Sequence, residues 1–318
     1  MKHRLPILVS LCALFALVTA SGEAIGCASR GLRLCAELIL PSLFPFFAVS
    51  LLLAKLGLPH LLGRFLSPVT RRLFHVSGAG ATALLIGLCG GYPMGAAYLA
   101  ELTEQGQIRP RETERLLVFC NNSGPAFLIG ALGGGVFGSW RTGLLLYLSH
   151  VLAALLSGLL LSRLSKEVPA GIPPRLPSPL PFSRALGEAV RGAVPAVLQV
   201  CGFVILFTVF TGLLEANGFL PPLQRLLAAL FSLSPRQSRA LLLGFWELGG
   251  GVGALRGLAP TPGNLALAAA LVGWGGVSVH LQSLAPFAEL PVHTAPHLLG
   301  RLLSAGLSAA LVFLLAKL

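Results

Sequence analysis

The sequence predicts an all-α polytopic membrane protein built from two inverted repeats, each with a re-entrant hairpin and a broken helix. The first reason is composition: 55% of the 318 residues are hydrophobic, 11% are charged, and the mean hydropathy is +0.83. A soluble domain is rarely so apolar. The second reason is that several apolar segments approach or exceed the roughly 20 residues that cross a bilayer core. They lie at 34–54, 142–162, 193–214 and 298–316. The third reason is an internal similarity between the two halves of the chain.

The first element is an apolar run, residues 5–20, which follows the basic residues Lys2 and Arg4. The triplet VTA at 18–20 also fits a signal-cleavage pattern. The run is therefore either a retained helix, which we favour, or a cleaved signal peptide. We assign residues 1–30 to an N-terminal membrane helix that is a possible signal anchor.

The internal similarity organises the rest of the chain. Each copy has a glycine that ends an apolar helix, then a proline, then an amphipathic stretch rich in Leu and Arg. The matching segments are 53–74 with 213–234, 87–96 with 245–254, 119–127 with 273–282, and 142–162 with 298–316. The sequence therefore predicts repeat 1 at residues 31–164, a Pro-rich linker at 165–182 and repeat 2 at 183–318.

Each repeat is interpreted as a long helix, an interfacial amphipathic helix, a glycine-broken hairpin, an interrupted helix and a closing helix. If the hairpin enters and leaves the membrane on one side, the repeat crosses an odd number of times, and the second copy is inverted. With the N-terminus inside, more of the Lys and Arg residues fall in the predicted cytoplasmic loops than outside, as the positive-inside rule requires. In this count Arg109 and Arg301 belong to cytoplasmic loops, and the loop 258–263 lies outside.

The net charge of +12 does not indicate a nucleic-acid partner. The Lys and Arg residues are scattered between apolar segments and form no basic stripe, which is typical of loop charges that orient membrane helices. The chain shows no GxSxG, Walker A, HExxH or paired-carboxylate pattern, so we expect no enzyme, no catalytic residues and no cofactor.

The sequence also predicts no metal site and no disulfide. The six cysteines show no CxxC spacing and are interpreted as small apolar core residues. His293 and His297 have helical spacing, but Pro291 and Pro296 disrupt that stretch.

The broken segment of repeat 1 interrupts an apolar run with amides, a hydroxyl and a helix breaker. These residues are Asn121, Asn122, Ser123 and Pro125, and the matching segment of repeat 2 carries Ser278, His280 and Gln282. Unpaired amides in lipid are costly, so we expect these groups to face a substrate cavity. The alternative is that small and polar residues there mediate helix–helix packing.

The hairpin tips form the other half of the predicted substrate site. The first tip contributes Gly90, Gly91, Tyr92 and Pro93, and the second contributes Gly249 and Gly250. Glycines permit a sharp reversal, and free backbone N–H groups there would attract an anion; the alternative is that the glycines serve packing only. Glu247 is a candidate for ion coupling because an intramembrane carboxylate is functional by default. The alternative for Glu247 is an ion pair with Arg256 or another arginine.

The motifs GGYPMGA, ERLLVFCNNSGPAFLIGALGGGVFG and VSVHLQ together resemble the YlbJ-type sporulation integral membrane proteins of endospore-forming bacteria. That family is related to the Gate, or nucleoside-recognition, domains of concentrative nucleoside transporters and spore maturation proteins. The resemblance covers roughly residues 30–318. It implies a transporter that passes dipicolinate, a small aromatic dicarboxylate, across the mother-cell-derived membrane around the forespore. The second hairpin, FWELGGGVGALRG, is richer in glycine than the family pattern.

Sequence and resemblance together predict a multi-pass protein of the bacterial cell membrane that transports a small organic anion by alternating access around a midplane site. Its expected partners are the substrate, the bilayer and a coupling proton or Na⁺, and the oligomeric state is left open. The alternatives are a non-transporting spore membrane assembly or maturation protein, a nucleoside-type solute transporter and a membrane-embedded enzyme.

Overall fold

A computed structural model describes residues 4–163 and 180–317, and within these residues the chain is helical and contains no strand. Within these two ranges, five helices are long and apolar enough to cross a membrane, or up to six if a pair bent by 98° counts as one span. The five are Ser21–Lys55, Trp140–Ser162, Phe182–Ala216, Pro262–Phe287 and Ala295–Leu315, and the bent pair is Leu61–Phe74 with Gly78–Gly90. These findings confirm the predicted all-α, multi-pass class. The predicted linker, residues 165–182, lies outside the described residues except for 180–182.

The first half begins with two helices and a long composite span. Its elements are α1 (Arg4–Thr19), α2 (Ser21–Leu34), a π-helical segment (Cys35–Ile39), α3 (Leu40–Lys55), α4 (Leu58–Phe74), α5 (Gly78–Gly90), α6 (Met94–Glu104), α7 (Pro110–Leu117), a second π-helical segment (Ala126–Val136) and α8 (Trp140–Ser162). Helix α1 buries no residue, as expected of an apolar helix whose surface faces lipid. The predicted boundary after residue 30 falls inside α2.

The second half repeats this order of elements. They are α9 (Phe182–Ala216), α10 (Leu220–Phe231), α11 (Pro235–Trp246), α12 (Leu248–Ala254), α13 (Pro262–Trp274), α14 (Val277–Leu284), a short 3₁₀ turn (Ala285–Phe287) and α15 (Ala295–Leu315). In both halves a long helix precedes an amphipathic helix, a helical hairpin, an interrupted helix and a closing helix.

The amphipathic helices α4 and α10 end in the same way. Each stops at a residue in the left-handed conformation, His75 at φ 53° and Ser232 at φ 52°. Two residues later a serine begins the hairpin: the Ser77 hydroxyl accepts a hydrogen bond from the backbone N–H of Gly80, and Ser234 accepts one from Gln237. The halves therefore share cap geometry as well as element order. Their inversion across the bilayer stays a prediction.

Both hairpins, α5–α6 and α11–α12, depend on glycine pairs where their helices cross. A Cβ atom added to Gly95 would lie 2.8 Å from the Cα of Gly87, and one added to Gly251 would lie 2.3 Å from the Cα of Gly244. Real Cβ atoms do not approach backbone this closely, so any side chain would force the helices apart. These four glycines therefore serve helix packing.

The helices pack with α3 and α2 against α9, and with α15 between α8 and α13, and they bury one large apolar cluster and two smaller ones. The buried face of α15 includes Arg301, Ser304, Ser308 and Val312, which recur every three or four residues. Arg301 is fully buried, so its prediction as a cytoplasmic loop charge is wrong. Pro296 does not delay the start of the helix, because proline is tolerated in the first turn. Helix α15 therefore begins at Ala295 and carries Arg301 into the core.

Candidate substrate cavity and a buried arginine

A cavity of about 50 Å³ lies where the two hairpin tips meet the two broken segments. The predicted site residues that line it are Gly90, Gly91, Tyr92, Ser123, Glu247, Gly249, Ser278 and Gln282. Apolar side chains from the long spans, including Phe47 and Val204, complete the wall. The structure thus brings together parts of both halves that are distant in sequence.

The first tip needs glycine at Gly91. Its φ is 82°, and an added Cβ would lie 2.6 Å from the backbone nitrogen of Gly124 in the broken segment. The next peptide bond, Tyr92–Pro93, is cis. Tyr92 then reaches the other half of the molecule, where its hydroxyl donates to the carbonyl oxygen of Val272 at 3.1 Å.

The second tip is organised by the Glu247 carboxylate. Its oxygens accept hydrogen bonds from the backbone N–H groups of Gly249 at 2.7 Å and Gly250 at 2.5 Å. The backbone N–H groups that were predicted to bind a substrate anion therefore donate to a carboxylate of the protein itself. Glu247 is buried against the cavity, and no ion pair joins it to Arg256 or to another cationic group in the described parts of the chain.

The broken segment of repeat 1 runs from the end of α7 at Leu117 to Pro125, the residue before the second π-helical segment. Asn121 and Asn122 are fully buried and lie behind the cavity wall, outside its lining. The side-chain amide of Asn121 donates to the Ser283 hydroxyl at 2.7 Å, and that of Asn122 donates to the Phe119 carbonyl at 2.6 Å.

Ser123 is the polar residue of this segment that reaches the cavity itself. Its backbone N–H donates to Nε2 of the buried His150, on α8, at 3.2 Å. That bond fixes which nitrogen of His150 is the acceptor.

The broken segment of repeat 2 turns at Gly275 and Gly276, which have φ of 91° and 86°. Ser278 and Gln282, on α14, then face the cavity. His280 points elsewhere, because its Nδ1 lies 3.0 Å from Nε2 of His297 and its ring packs edge-on against Trp274. No group of three or more metal-ligating side chains occurs among the residues that the structure describes.

Arg301 is the site residue that the sequence analysis missed. Its guanidinium donates to the Tyr92 hydroxyl at 2.9 Å, to the Asn122 side-chain oxygen at 3.2 Å and to the Val118 carbonyl at 3.4 Å. Its Nε is buried without a partner, and no carboxylate in residues 4–163 and 180–317 lies within ion-pair distance of it. An arginine inside an apolar run of the closing helix is the sequence signal that could have identified it.

The site therefore has an anionic side and a cationic side. Glu247 lies at the cavity next to the second tip, whereas Arg301 lies behind Tyr92 and Asn122, one turn along α15 from His297, which contacts His280. Buried hydrogen-bonding groups and one unpaired cation can hold and orient a polar solute. They form no nucleophile–base arrangement of the kind that covalent catalysis uses.

A curated relative is similar to most of the chain. The sporulation integral membrane protein YlbJ of Bacillus subtilis (strain 168) is 33% identical over 313 aligned positions, which cover 90% of this chain and 76% of the relative. No protein-family model matches the chain. No solved structure matches it either.

Proposed function

The chain belongs to the family of the sporulation integral membrane protein YlbJ, and from that premise we propose that it transports a small organic anion across a membrane. The proposed substrate is dipicolinate, which the resemblance of its motifs implies. The proposed location is the mother-cell-derived membrane around the forespore.

The observation that carries this proposal is the unpaired Arg301 guanidinium behind the cavity wall. Arg301 lies in the second turn of α15 and is fully buried. An ionisable residue buried within a membrane helix is costly and marks a functional site by default. Arg301 has neutral hydrogen-bond acceptors but no anion to neutralise it. A substrate carboxylate would supply that missing charge.

The same charge favours an organic anion over a neutral nucleoside. A nucleoside needs hydrogen-bond donors and acceptors, which the serine, asparagine and glutamine side chains could provide alone. A buried cation attracts a carboxylate more strongly than a neutral solute, and without an anion its desolvation energy is not offset by an ion pair. Transport of a nucleoside would not require the buried positive charge of Arg301.

The cavity volume supports transport by alternating access. About 50 Å³ admits a few water molecules but not an aromatic dicarboxylate. Loading therefore requires the hairpins to move apart, which suits a mechanism in which the repeats rock around one central site. Glu247 is the proposed ion-coupling residue, since it would exchange its Gly249 and Gly250 donors for a proton or Na⁺ as the second tip moves.

Reconstitution into liposomes tests the proposal. Purified protein should take up radiolabelled dipicolinate and not uridine, and a proton or Na⁺ gradient should change the rate. Uptake of uridine alone would support the nucleoside-type alternative. A well-folded protein that moves neither solute under any gradient would support the assembly alternative.

A further inference from the structure

A second cavity opens at the surface between α7, α8 and the segment that leads into α15. We infer that it is an entry vestibule that collects small organic carboxylates before they reach Arg301. This inference rests on the proposed function. The vestibule has a volume of about 1180 Å³ and is separate from the central cavity. Its charged and titratable lining residues are Arg109, Arg111, Glu114, Arg115 and His293.

The lining is cationic. Among the described lining residues three arginines outnumber one carboxylate, and a cleft with an excess of one sign of charge raises the local concentration of the opposite ion. The Glu114 carboxylate also has a structural contact: its Oε1 accepts a hydrogen bond from the backbone N–H of His293 at 2.9 Å. Glu114 thereby joins α7 to the segment before α15 and closes one side of the vestibule. Arg109 and Arg111 are exposed.

The floor of the vestibule lies directly over the buried arginine. Val118 forms part of that floor, and its carbonyl oxygen accepts a hydrogen bond from Arg301. Gly300 allows this contact, because a Cβ there would lie 2.4 Å from the same carbonyl oxygen. One layer of backbone at the break after α7 therefore separates the vestibule from the cation behind the central cavity. Movement of this broken segment would connect the two.

The shape and lining favour a small carboxylate. The volume exceeds what a drug-sized ligand needs, and the cavity is concave rather than a flat basic stripe. In the part of the chain that the structure describes, the residues that line it include no Phe, Tyr or Trp on which a nucleobase could stack. Arginine pairs well with carboxylates because its planar guanidinium can donate in a bidentate geometry.

Charge-selective labelling tests the inference without measuring transport. Leu161, which lines the vestibule, is replaced by cysteine in full-length protein whose exposed Cys12 and Cys89 are changed to serine. The measured quantity is the rate of reaction with a negatively charged methanethiosulfonate divided by the rate with a positively charged one. We expect this ratio to be roughly tenfold higher at the vestibule cysteine than for a free thiol in solution. The combined R109Q and R111Q changes should remove most of that preference, as should high salt. Dipicolinate should slow the labelling.

A matched control changes the same charge elsewhere. Arg225 and Arg236 are exposed on α10 and α11, outside the vestibule, so R225Q with R236Q should leave the preference at Leu161→Cys intact. The inference is overturned if the anionic reagent shows no preference, if both double variants change it equally, or if dipicolinate does not protect the cysteine.

Uptake kinetics then separate this inference from the proposed function. In liposomes, R109Q with R111Q should raise the KM for dipicolinate several-fold at low salt and leave kcat unchanged, because the central site is intact. Uptake with an unchanged KM would overturn the vestibule alone. A wild-type protein that transports no dipicolinate would overturn the proposed function, and the labelling result would still decide whether the vestibule binds the anion.

Discussion

At the scale of single residues, the core is unusual because Arg301, the one fully buried arginine among the described residues, is held by neutral acceptors from the other half of the chain. Tyr92 and Asn122 belong to the first half, and Arg301 belongs to the second. Neither partner neutralises the guanidinium. The arginine is therefore positioned for an anion at a cost in stability, which makes its role in binding separable from a role in folding.

Replacement of Arg301 by glutamine should abolish dipicolinate uptake without lowering the melting temperature of the purified protein. Glutamine removes an unpaired buried charge and keeps a donor for the Val118 or Asn122 oxygen. R301K keeps the charge but not the planar fork, so it should retain part of the uptake. R225Q on the exposed face of α10 is the control and should behave as wild type. An R301Q protein that unfolds, or that transports at the wild-type rate, would show that the arginine is structural.

Replacement of Asn122 by alanine should lower uptake by about tenfold or more with normal membrane insertion. The change removes the acceptor of one Arg301 hydrogen bond and the donor of the hydrogen bond to the Phe119 carbonyl. Leaving a buried charged group without a partner costs about 1–3 kcal/mol of the free energy that holds the site in its binding geometry. Asn217 also donates to a carbonyl of its own helix, that of Leu213, but lies at the exposed end of α9. N217A should therefore retain wild-type uptake. Equal effects of the two changes on uptake would indicate that Asn122 serves helix packing and not substrate binding.

At the scale of elements, the sequence predicts where the helices break better than it predicts the hydrogen-bond partners of the polar side chains at those breaks. Glycine, proline and asparagine act on the local backbone, so the tip at Gly91 and the break before Pro125 follow from sequence spacing. The partners of the polar groups depend on how each helix is rotated about its axis. Asn122 turns to Arg301 and His280 turns to His297, and both lie outside the cavity lining.

Long-range contacts explain the other differences. Asn121 bonds to Ser283 and Tyr92 bonds to Arg301, across separations of 162 and 209 residues. No local pattern specifies such a pair. The predicted closing segment starts at residue 298, whereas α15 starts at Ala295. Pro296 indicates a helix break when the sequence is considered alone, but proline is compatible with the first turn of a helix.

The hairpin glycines give a stability prediction within one short helix. G251A should lower the free energy of unfolding by about 1–3 kcal/mol, because its Cβ would lie 2.3 Å from the Cα of Gly244. G253A in the same helix is the control: its Cβ would meet only Leu34 at 3.9 Å, so alanine should be neutral or slightly stabilising. Thermal melting in detergent measures both. Equal melting temperatures would contradict the close crossing of α11 and α12.

At the scale of the whole molecule, the two halves share element order, cap geometry and glycine crossings. Their inversion is a prediction with a direct test. Gln105 follows α6 and Thr261 precedes α13, and both are exposed. Single cysteines there, in protein without Cys12 and Cys89, should react with an impermeant maleimide from opposite sides of the membrane. Labelling from the same side would exclude the inverted arrangement.

Transport by alternating access needs the broken helices to meet at one site, and selection of an anion needs that site to recognise charge. Substrate charge is therefore the property that the protein should select. Pyridine-2,6-dicarboxylate, pyridine-2-carboxylate and pyridine-2,6-dicarboxamide share one ring and differ in charge.

Isothermal titration of the purified wild-type protein with these three compounds directly measures whether the site selects its substrate by charge. The account predicts that the dianion binds most tightly, the monoanion roughly tenfold or more weakly, and the neutral diamide not detectably, since each lost charge removes attraction to the cationic side of the site. R301Q should bind none of the three tightly. Equal binding of the diamide and the dianion, or wild-type affinity in R301Q, would contradict the claim that Arg301 selects an organic anion.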